Sequence, residues 1–243
     1  MNLIIDIGNS AVKSAVFQDA KILRSYVFPF ENFSENFQKI KKDYPQIAFS
    51  MLSSVIKDTF EIEKMLKKET KLFVLRENTR LSFKNNYASP QTLGKDRLAL
   101  VAAGSLKYQN KNLLVIDAGT CITFDFKNDK NEYLGGAISP GLQMRLKALN
   151  HFTAKLPLVD LDENVPLIGD STQNSILSGV LNGVSAELDG IIDRYKAGYK
   201  YLTVILTGGD TQILSKRVKN SIFANPNFLL EGLNYILEFN KTQ

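Results

Sequence analysis

The sequence predicts a layered α/β protein in which one architectural unit is written twice. Three observations predict it. The stretches "LIIDIGNS" (Leu3–Ser10) and "LVIDAGTC" (Leu114–Cys121) share an apolar run, an acid, an apolar residue and a glycine, followed by a short polar residue. Each stretch opens the same order of elements: a strand hairpin, then mixed strands and helices. A chain of 243 residues is also long enough for two modest domains of about 100–150 residues each.

The elements follow in order. Residues 2–7 and 12–17 read as strands joined by the turn "GNSA", in which Gly8 and Asn9 are expected to supply unusual backbone angles. "NFSENFQKIKKDY" reads as a helix capped by Asn32, with Phe33, Phe37 and Ile40 on one face. Residues 47–52 form a candidate buried strand. Asp58 and Glu61 stand in capping-box spacing before a helix carrying Phe60, Ile62, Met65 and Leu66, and residues 71–75 form another strand. Pro90 and Gly94 punctuate the loop "YASPQTLGKDR", and a buried helix is expected from Lys95 onward.

The second half begins with "NLLVIDAGTCITFDF", again strand, turn and strand. "EYLGGAISPGLQMRLKAL" predicts a third strand, a glycine-rich loop and a helix starting near Pro140. Apolar residues at helical spacing from Thr172 to Tyr195 predict the longest helix, with Gly198 as its stop. Residues 201–206 form a strand running into "TGGD", and "LLEGLNYILEF" forms a closing helix. No Pro/Gly/Ser-rich linker interrupts the chain; the boundary is expected in the polar "KYQNKN", near 107–112.

Composition excludes several classes. No apolar run approaches the length of about 18 residues that a membrane span needs, and no signal peptide is expected. Cys121 is the lone cysteine, so an intrachain disulfide or a cysteine zinc cluster is excluded, and a cytoplasmic protein is expected. A net charge of +5 is mildly basic. Its clusters "KIKKDY" and "KMLKKETK" fall on amphipathic helices and read as solvated faces, so no nucleic-acid partner is expected.

An acid at the end of a buried strand, followed by a glycine turn, has a chemical use. Backbone N–H groups of the turn can face phosphate oxygens, and the carboxylate can hold magnesium. Lys13, on the returning strand, can reach the same phosphates. The competing reading is a plain hairpin whose Asp bonds to its own turn; the duplication favours a nucleotide site formed by two facing halves. From residue type alone, Asp96 reads as a helix cap, Tyr87 as a packing lid in its loop, and Thr172 as a cap of the helix that follows it. Cys121 reads as a small filler, the lone His151 has no ligand cluster around it, and Asp125 reads as solvent-facing.

Taken together, "DIGNSAVK" (6–13), "YASPQTLGKDR" (87–97), "DAGTCIT" (117–123), "GGAISPG" (135–141) and "TGGD" (207–210) resemble the type III pantothenate kinases, over nearly the whole chain. The resemblance implies a duplicated ribonuclease-H-like, actin-like ATPase fold with mixed sheets flanked by helices and halves at 1–110 and 111–243. It implies phosphorylation of pantothenate by ATP to 4′-phosphopantothenate, the first step of coenzyme A synthesis. Asp6, Ile7, Gly8, Asn9, Ser10, Ala11, Val12 and Lys13 match the family's ATP-phosphate turn, with Asp6 on magnesium; Ser10 replaces the usual Thr and keeps the hydroxyl. Thr120, Gly208 and Gly209 match further ATP contacts. Asp96 matches the general base. Tyr87, Gly94, Lys95, Arg97 and Thr172 match the pantothenate pocket, and Arg97 is a candidate partner of the substrate carboxylate. Asp117 matches a site for a monovalent cation, potassium or ammonium. A homodimer is implied as well.

Two departures from the family's pattern stand beside the base: Lys95, where a small residue is usual, and Leu100, where many members have a polar one. The alternatives are a kinase of the same superfamily with another hydroxyl or carboxylate acceptor, or a nucleotide-binding accessory protein without catalysis.

Overall fold

The computed structural model describes residues 1–56 and 58–241. The chain opens with β1 (Asn2–Ile7), β2 (Val12–Gln18), β3 (Lys21–Phe28), α1 (Phe33–Asp43), β4 (Phe49–Ser54), α2 (Phe60–Glu69), β5 (Lys71–Val74), the two-residue β6 (Lys84–Asn85) and α3 (Lys95–Lys107). It continues with β7 (Leu113–Ala118), β8 (Cys121–Lys127), β9 (Glu132–Pro140), α4 (Leu142–His151), α5 (Thr172–Gly198), β10 (Thr203–Thr207), α6 (Thr211–Ser215) and β11 (Phe223–Ala224). It closes on α7 (Phe228–Lys241).

Two compact units result: Met1–Gln109 with Asn227–Gln243, and Asn110–Pro226. The chain passes from the first unit to the second between Gln109 and Asn110. The last helix departs from the expected 111–243 half, because it returns to the first unit. There α7 lies against α3 so closely that a Cβ on Gly232 would come within 1.8 Å of the Ala99 carbonyl oxygen. Asn2 donates to Asn234 and Glu238 at 2.7 and 2.6 Å, which ties the start of β1 to the same helix.

In the first unit the strand order is β3-β2-β1-β4-β5. β1 is the middle strand and all six of its residues are buried, which explains its continuous apolar run. Leu3, Ile5, Val12 and Val16 pack with Phe33, Phe37 and Ile40 of α1 and with Leu66 of α2. In the second unit β11-β10-β7-β8-β9 run in that order. Ile116, Ile122 and Phe124 face Leu142 and Leu146 of α4 and Leu177, Leu181 and Leu188 of α5. Both units are thus mixed sheets with helices packed on them, as the sequence predicts.

Several expectations shift. β4 begins two residues later than expected and ends at Ser54, level with the end of β1. The Asp58–Glu61 capping box does not form. Instead Asp58 accepts the Phe60 N–H at 3.2 Å, and the Thr59 hydroxyl reaches Glu63 at 3.1 Å. Asn32 makes no side-chain capping bond. "GGAIS" is strand rather than loop: Gly136 sits in β9, and a Cβ there would overlap the Phe124 carbonyl oxygen of β8. That close approach, not a turn, is what demands glycine. β3 is a mostly exposed edge strand without a clean alternation, and it escaped the sequence reading. Among the described residues no helix is long and apolar enough to cross a membrane.

Candidate active site

In the first unit, Asp6 is the last acid of β1, and its neighbours are set by strand register. Lys13 is its antiparallel partner on β2, and Ser53 its parallel partner on β4. The three side chains therefore form a row across one face of the sheet. Burial raises the Asp6 carboxyl from 3.8 to about 6; the Ser53 hydroxyl, donating to it, opposes the rise, the nearby Asp96 carboxylate adds to it, and Lys13 opposes it. Asp6 is 6% exposed and Ser53 1%. Ser53 was not singled out from the sequence; the only signal was a hydroxyl at the end of a buried strand.

The turn after β1 is closed by Gly8 N–H donating to the Ala11 carbonyl at 3.1 Å. Neither Gly8 nor Asn9 takes a positive φ, contrary to expectation. A Cβ on Gly8 would meet only the Ala11 carbonyl oxygen, at 3.4 Å, an ordinary contact. The fold itself therefore does not require glycine here. Asn9 and Ser10 are exposed and Ala11 partly so, leaving the turn's backbone accessible to an approaching ligand.

Asp96 is the second residue of α3, and Gly94 holds the N-cap position without a side-chain capping bond. The helix-cap reading of Asp96 is therefore wrong. Its Oδ1 instead accepts the Arg97 N–H at 2.9 Å, which fixes the carboxylate at the helix start, and its charge helps to raise the Asp6 carboxyl. A Cβ on Gly94 would lie 2.3 Å from Asp96 Oδ1, so only glycine leaves the carboxylate where it stands. Arg97 is 5% exposed, with its guanidinium 5.5 Å from the centre of the Tyr87 ring. Tyr87 is half-buried and its N–H donates to Asn85. Leu100 is wholly buried and belongs to the core face of α3.

The second unit repeats the row with different chemistry. Asp117 on β7 is flanked by Thr123 on β8 and Thr207 on β10. The lysine position of the first turn is thus a threonine in the second. Gly119 N–H donates to the Cys121 carbonyl at 3.0 Å, and a Cβ on Gly119 would meet nothing within 4 Å. Thr120 is exposed and Cys121 is partly exposed. The "TGGD" loop lies beside this turn: Asp210 N–H donates to the Ala118 carbonyl at 3.0 Å. Burial pushes the Asp210 carboxyl up. Gly208 has φ +96°, and a Cβ there would stand 2.2 Å from the Ala118 carbonyl oxygen and 2.4 Å from Asp117 Oδ1. Gly208→Ala therefore destabilises by about 1–3 kcal/mol in urea unfolding. Gly209→Ala, at a position with nothing within 4 Å, stays within about 0.5 kcal/mol.

Three other residues fall differently from expectation. Thr172 is exposed in the first turn of α5, but the cap is Ser171, whose hydroxyl accepts the Asn174 N–H at 3.2 Å. Asp125 does not face solvent: it is 0% exposed and accepts from Tyr133 at 2.7 Å and from Thr123 at 3.0 Å. His151 is exposed beside Phe152. Among the described residues no group of three or more His, Cys, Asp or Glu side chains could hold a metal.

Two mixed α/β units, each with an acid beside a glycine turn near the end of a central strand, form the fold shared by actin-like and sugar-kinase proteins. The same fold is seen in the activator of the 2-hydroxyisocaproyl-CoA dehydratase from Clostridium difficile with bound ADPNP. That structure has a TM-score of 0.56 at 12% identity, over 100% of this chain and 96% of that one. A glucokinase from an Antarctic psychrotroph has a TM-score of 0.53 at 14% identity, covering 98% and 99%. The chain belongs to the type III pantothenate kinase family, whose profile matches residues 2–194. The type III pantothenate kinase of Christiangramia forsetii is 57% identical over 243 residues, covering 100% of both chains.

Proposed function

We propose the following division of labour for the ATP-dependent phosphorylation of pantothenate. The observation that carries it is the row Lys13–Asp6–Ser53 with the Asp96 carboxylate beside it. The turn Gly8–Ala11 holds the ATP phosphates through its backbone N–H groups, the Ser10 hydroxyl adds a donor, and Lys13 adds a point charge. Asp6 suits magnesium, an ion commonly held by one or two carboxylates together with substrate phosphates and water. When bound, that ion would neutralise phosphate charge. Asp96 takes the proton from the acceptor hydroxyl as its oxygen attacks the γ-phosphorus; the bond to the bridging oxygen breaks and ADP leaves. Tyr87 and Gly94 shape the acceptor side, and Arg97 holds the Tyr87 ring. Thr172 completes the pantothenate pocket; Thr120, Gly208 and Gly209 contact ATP.

Asp117 has a neutral cross-strand hydroxyl where Asp6 has a lysine. A monovalent cation at Asp117 supplies the charge that Lys13 supplies in the first turn. Potassium or ammonium is therefore expected to raise the rate well above that in sodium alone, and Asp117→Asn to abolish the difference. Equal rates in all three salts would make Asp117 a structural acid.

The second copy of a homodimer is supported by large apolar side chains left exposed along one stretch of the second unit, among them Ile138, Phe152, Leu158, Leu167 and Ile168. The single cysteine and the use of ATP support a cytoplasmic enzyme. The deciding assay for the acceptor is ATP consumption with pantothenate against glucose, glycerol and acetate, with mass spectrometry of the product. Phosphorylation of a sugar or acetate with pantothenate untouched overturns the acceptor.

A further inference from the structure

The two copies of the hairpin differ in charge at two positions of the returning strand. In the first copy Lys13 stands opposite Asp6, and two residues further on Ala15 is wholly buried. In the second, Thr123 stands opposite Asp117, and two residues further on the wholly buried side chain is Asp125. A cation and a methyl group give way to a hydroxyl and a second acid. Side chains two apart on a strand share a face, and so do cross-strand partners. Asp117, Thr123 and Asp125 therefore lie on one face of the second sheet.

A buried carboxylate is costly unless hydrogen bonds hold it. Two hydroxyls hold Asp125: Tyr133 donates to Oδ1 at 2.7 Å and Thr123 donates to Oδ2 at 3.0 Å. The bond from Thr123 has a directional consequence. A threonine hydroxyl has one proton and two lone pairs. With that proton given to Asp125, Thr123 offers only lone pairs on its other sides, so it gives no proton to Asp117, the acid directly across from it. Side chains so placed have Cβ atoms about 4.5–5.5 Å apart. A carboxylate facing an oxygen that can only accept makes a region of negative potential. Thr207, 1% exposed, stands on the other side of Asp117 and adds a further hydroxyl to the row. One carboxylate among neutral oxygens fits a hard monovalent cation, which exchanges water for protein oxygens.

We propose that Asp125 and Tyr133 are positioning residues for the cation site at Asp117: they hold the Thr123 hydroxyl with its proton turned to Asp125 and its lone pairs turned to the ion. The inference rests on the placing of a monovalent cation at Asp117. Asp125 and Tyr133 are both 0% exposed, so they act through Thr123 and not on a substrate. Tyr133 holds the far oxygen of the carboxylate, which keeps Oδ2 turned to Thr123. The first copy of the hairpin needs no such device, because Lys13 carries its own charge and Ala15 has nothing to orient.

The test has two readouts on the full-length enzyme. One is the melting temperature with magnesium and ADP present, in potassium chloride against sodium chloride at equal ionic strength. The other is the potassium concentration that gives half-maximal activation. The wild type is expected to melt higher in potassium. Asp125→Asn and Thr123→Val should each lose most of that difference and raise the half-activating concentration about tenfold, the scale of one lost charge-assisted interaction. Tyr133→Phe should shift both readouts in the same direction by less. Thr123→Ser, which restores the hydroxyl, should keep the wild-type response. An Asp125→Asn enzyme that melts lower by the same amount in both salts, and keeps the wild-type half-activating concentration, overturns the proposal and makes Asp125 a packing acid. If Asp125→Asn does not fold, a wild-type potassium response in Thr123→Val overturns it instead. A wild type that shows no difference between the salts in either readout overturns the cation at Asp117 itself, and the proposal with it, before any variant is made.

Discussion

Asp96→Asn lowers kcat by about 10²–10⁴-fold, the range for loss of a positioned acid–base group. The substitution keeps the shape of the side chain and an oxygen that can accept the Arg97 N–H. It removes only the capacity to take a proton. ATP affinity is expected to change little, because in the proposed mechanism the carboxylate serves the acceptor and not the nucleotide. Stability changes by no more than about 1 kcal/mol, because Asp96 makes no capping bond that Asn would lose. Steady-state kinetics with saturating ATP, read beside a melting curve, separates the outcomes. A variant with wild-type kcat would remove Asp96 from the chemistry.

Asp6→Asn is expected to move stability and activity in opposite directions. Burial holds the Asp6 carboxyl at about 6 instead of 3.8. The sign follows from linkage: a group that binds its proton more tightly in the folded state contributes stability below its unfolded pKa. That contribution is lost as pH rises through the folded value. Between about pH 4 and 6 the ligand-free enzyme therefore loses up to about 3 kcal/mol from this one acid. Asn at position 6 carries no charge, so at pH 8 the variant melts higher than the wild type, by up to about 5–10 °C for a chain of this size. The gain shrinks toward pH 4. With Asp6 on magnesium, as proposed, activity goes the other way: an uncharged Asn is a far weaker ligand for that ion, and kcat/KM is expected to fall at every magnesium concentration. Thermal melts at pH 4 and pH 8, without nucleotide, check the first part; a variant less stable at pH 8 than the wild type would show that Asp6 is not held against its charge.

Much of this was legible in the residues. The repeated acid–glycine phrase marked both central strands, because a strand buried on both faces must be a continuous apolar run and its first polar residue marks where it ends. Asp6 and Asp117 therefore stood out from sequence alone. A buried run located α3, and helical spacing located α5. Ser53 was not legible, because a serine at a strand end looks like any other; only the parallel register of β4 beside β1 sets it against Asp6. Asp125 was misread as solvent-facing. Alternation along β8 puts it on the face opposite Phe124, but alternation cannot say whether that face meets water, and the structure buries it with Tyr133 and Thr123.

The return of α7 to the first unit depends on a helix contact through Gly232 that spans more than a hundred residues of chain. No local propensity encodes such a contact. The sequence by itself determined which strands end in acids and which segments are helical, because those follow from local pattern and burial period. Only the tertiary structure decided which side chains neighbour those acids, since strand register and helix packing join residues that are remote in the chain. Burial among such residues raises the Asp6 carboxyl, with Ser53 and Lys13 opposing the rise and Asp96 adding to it.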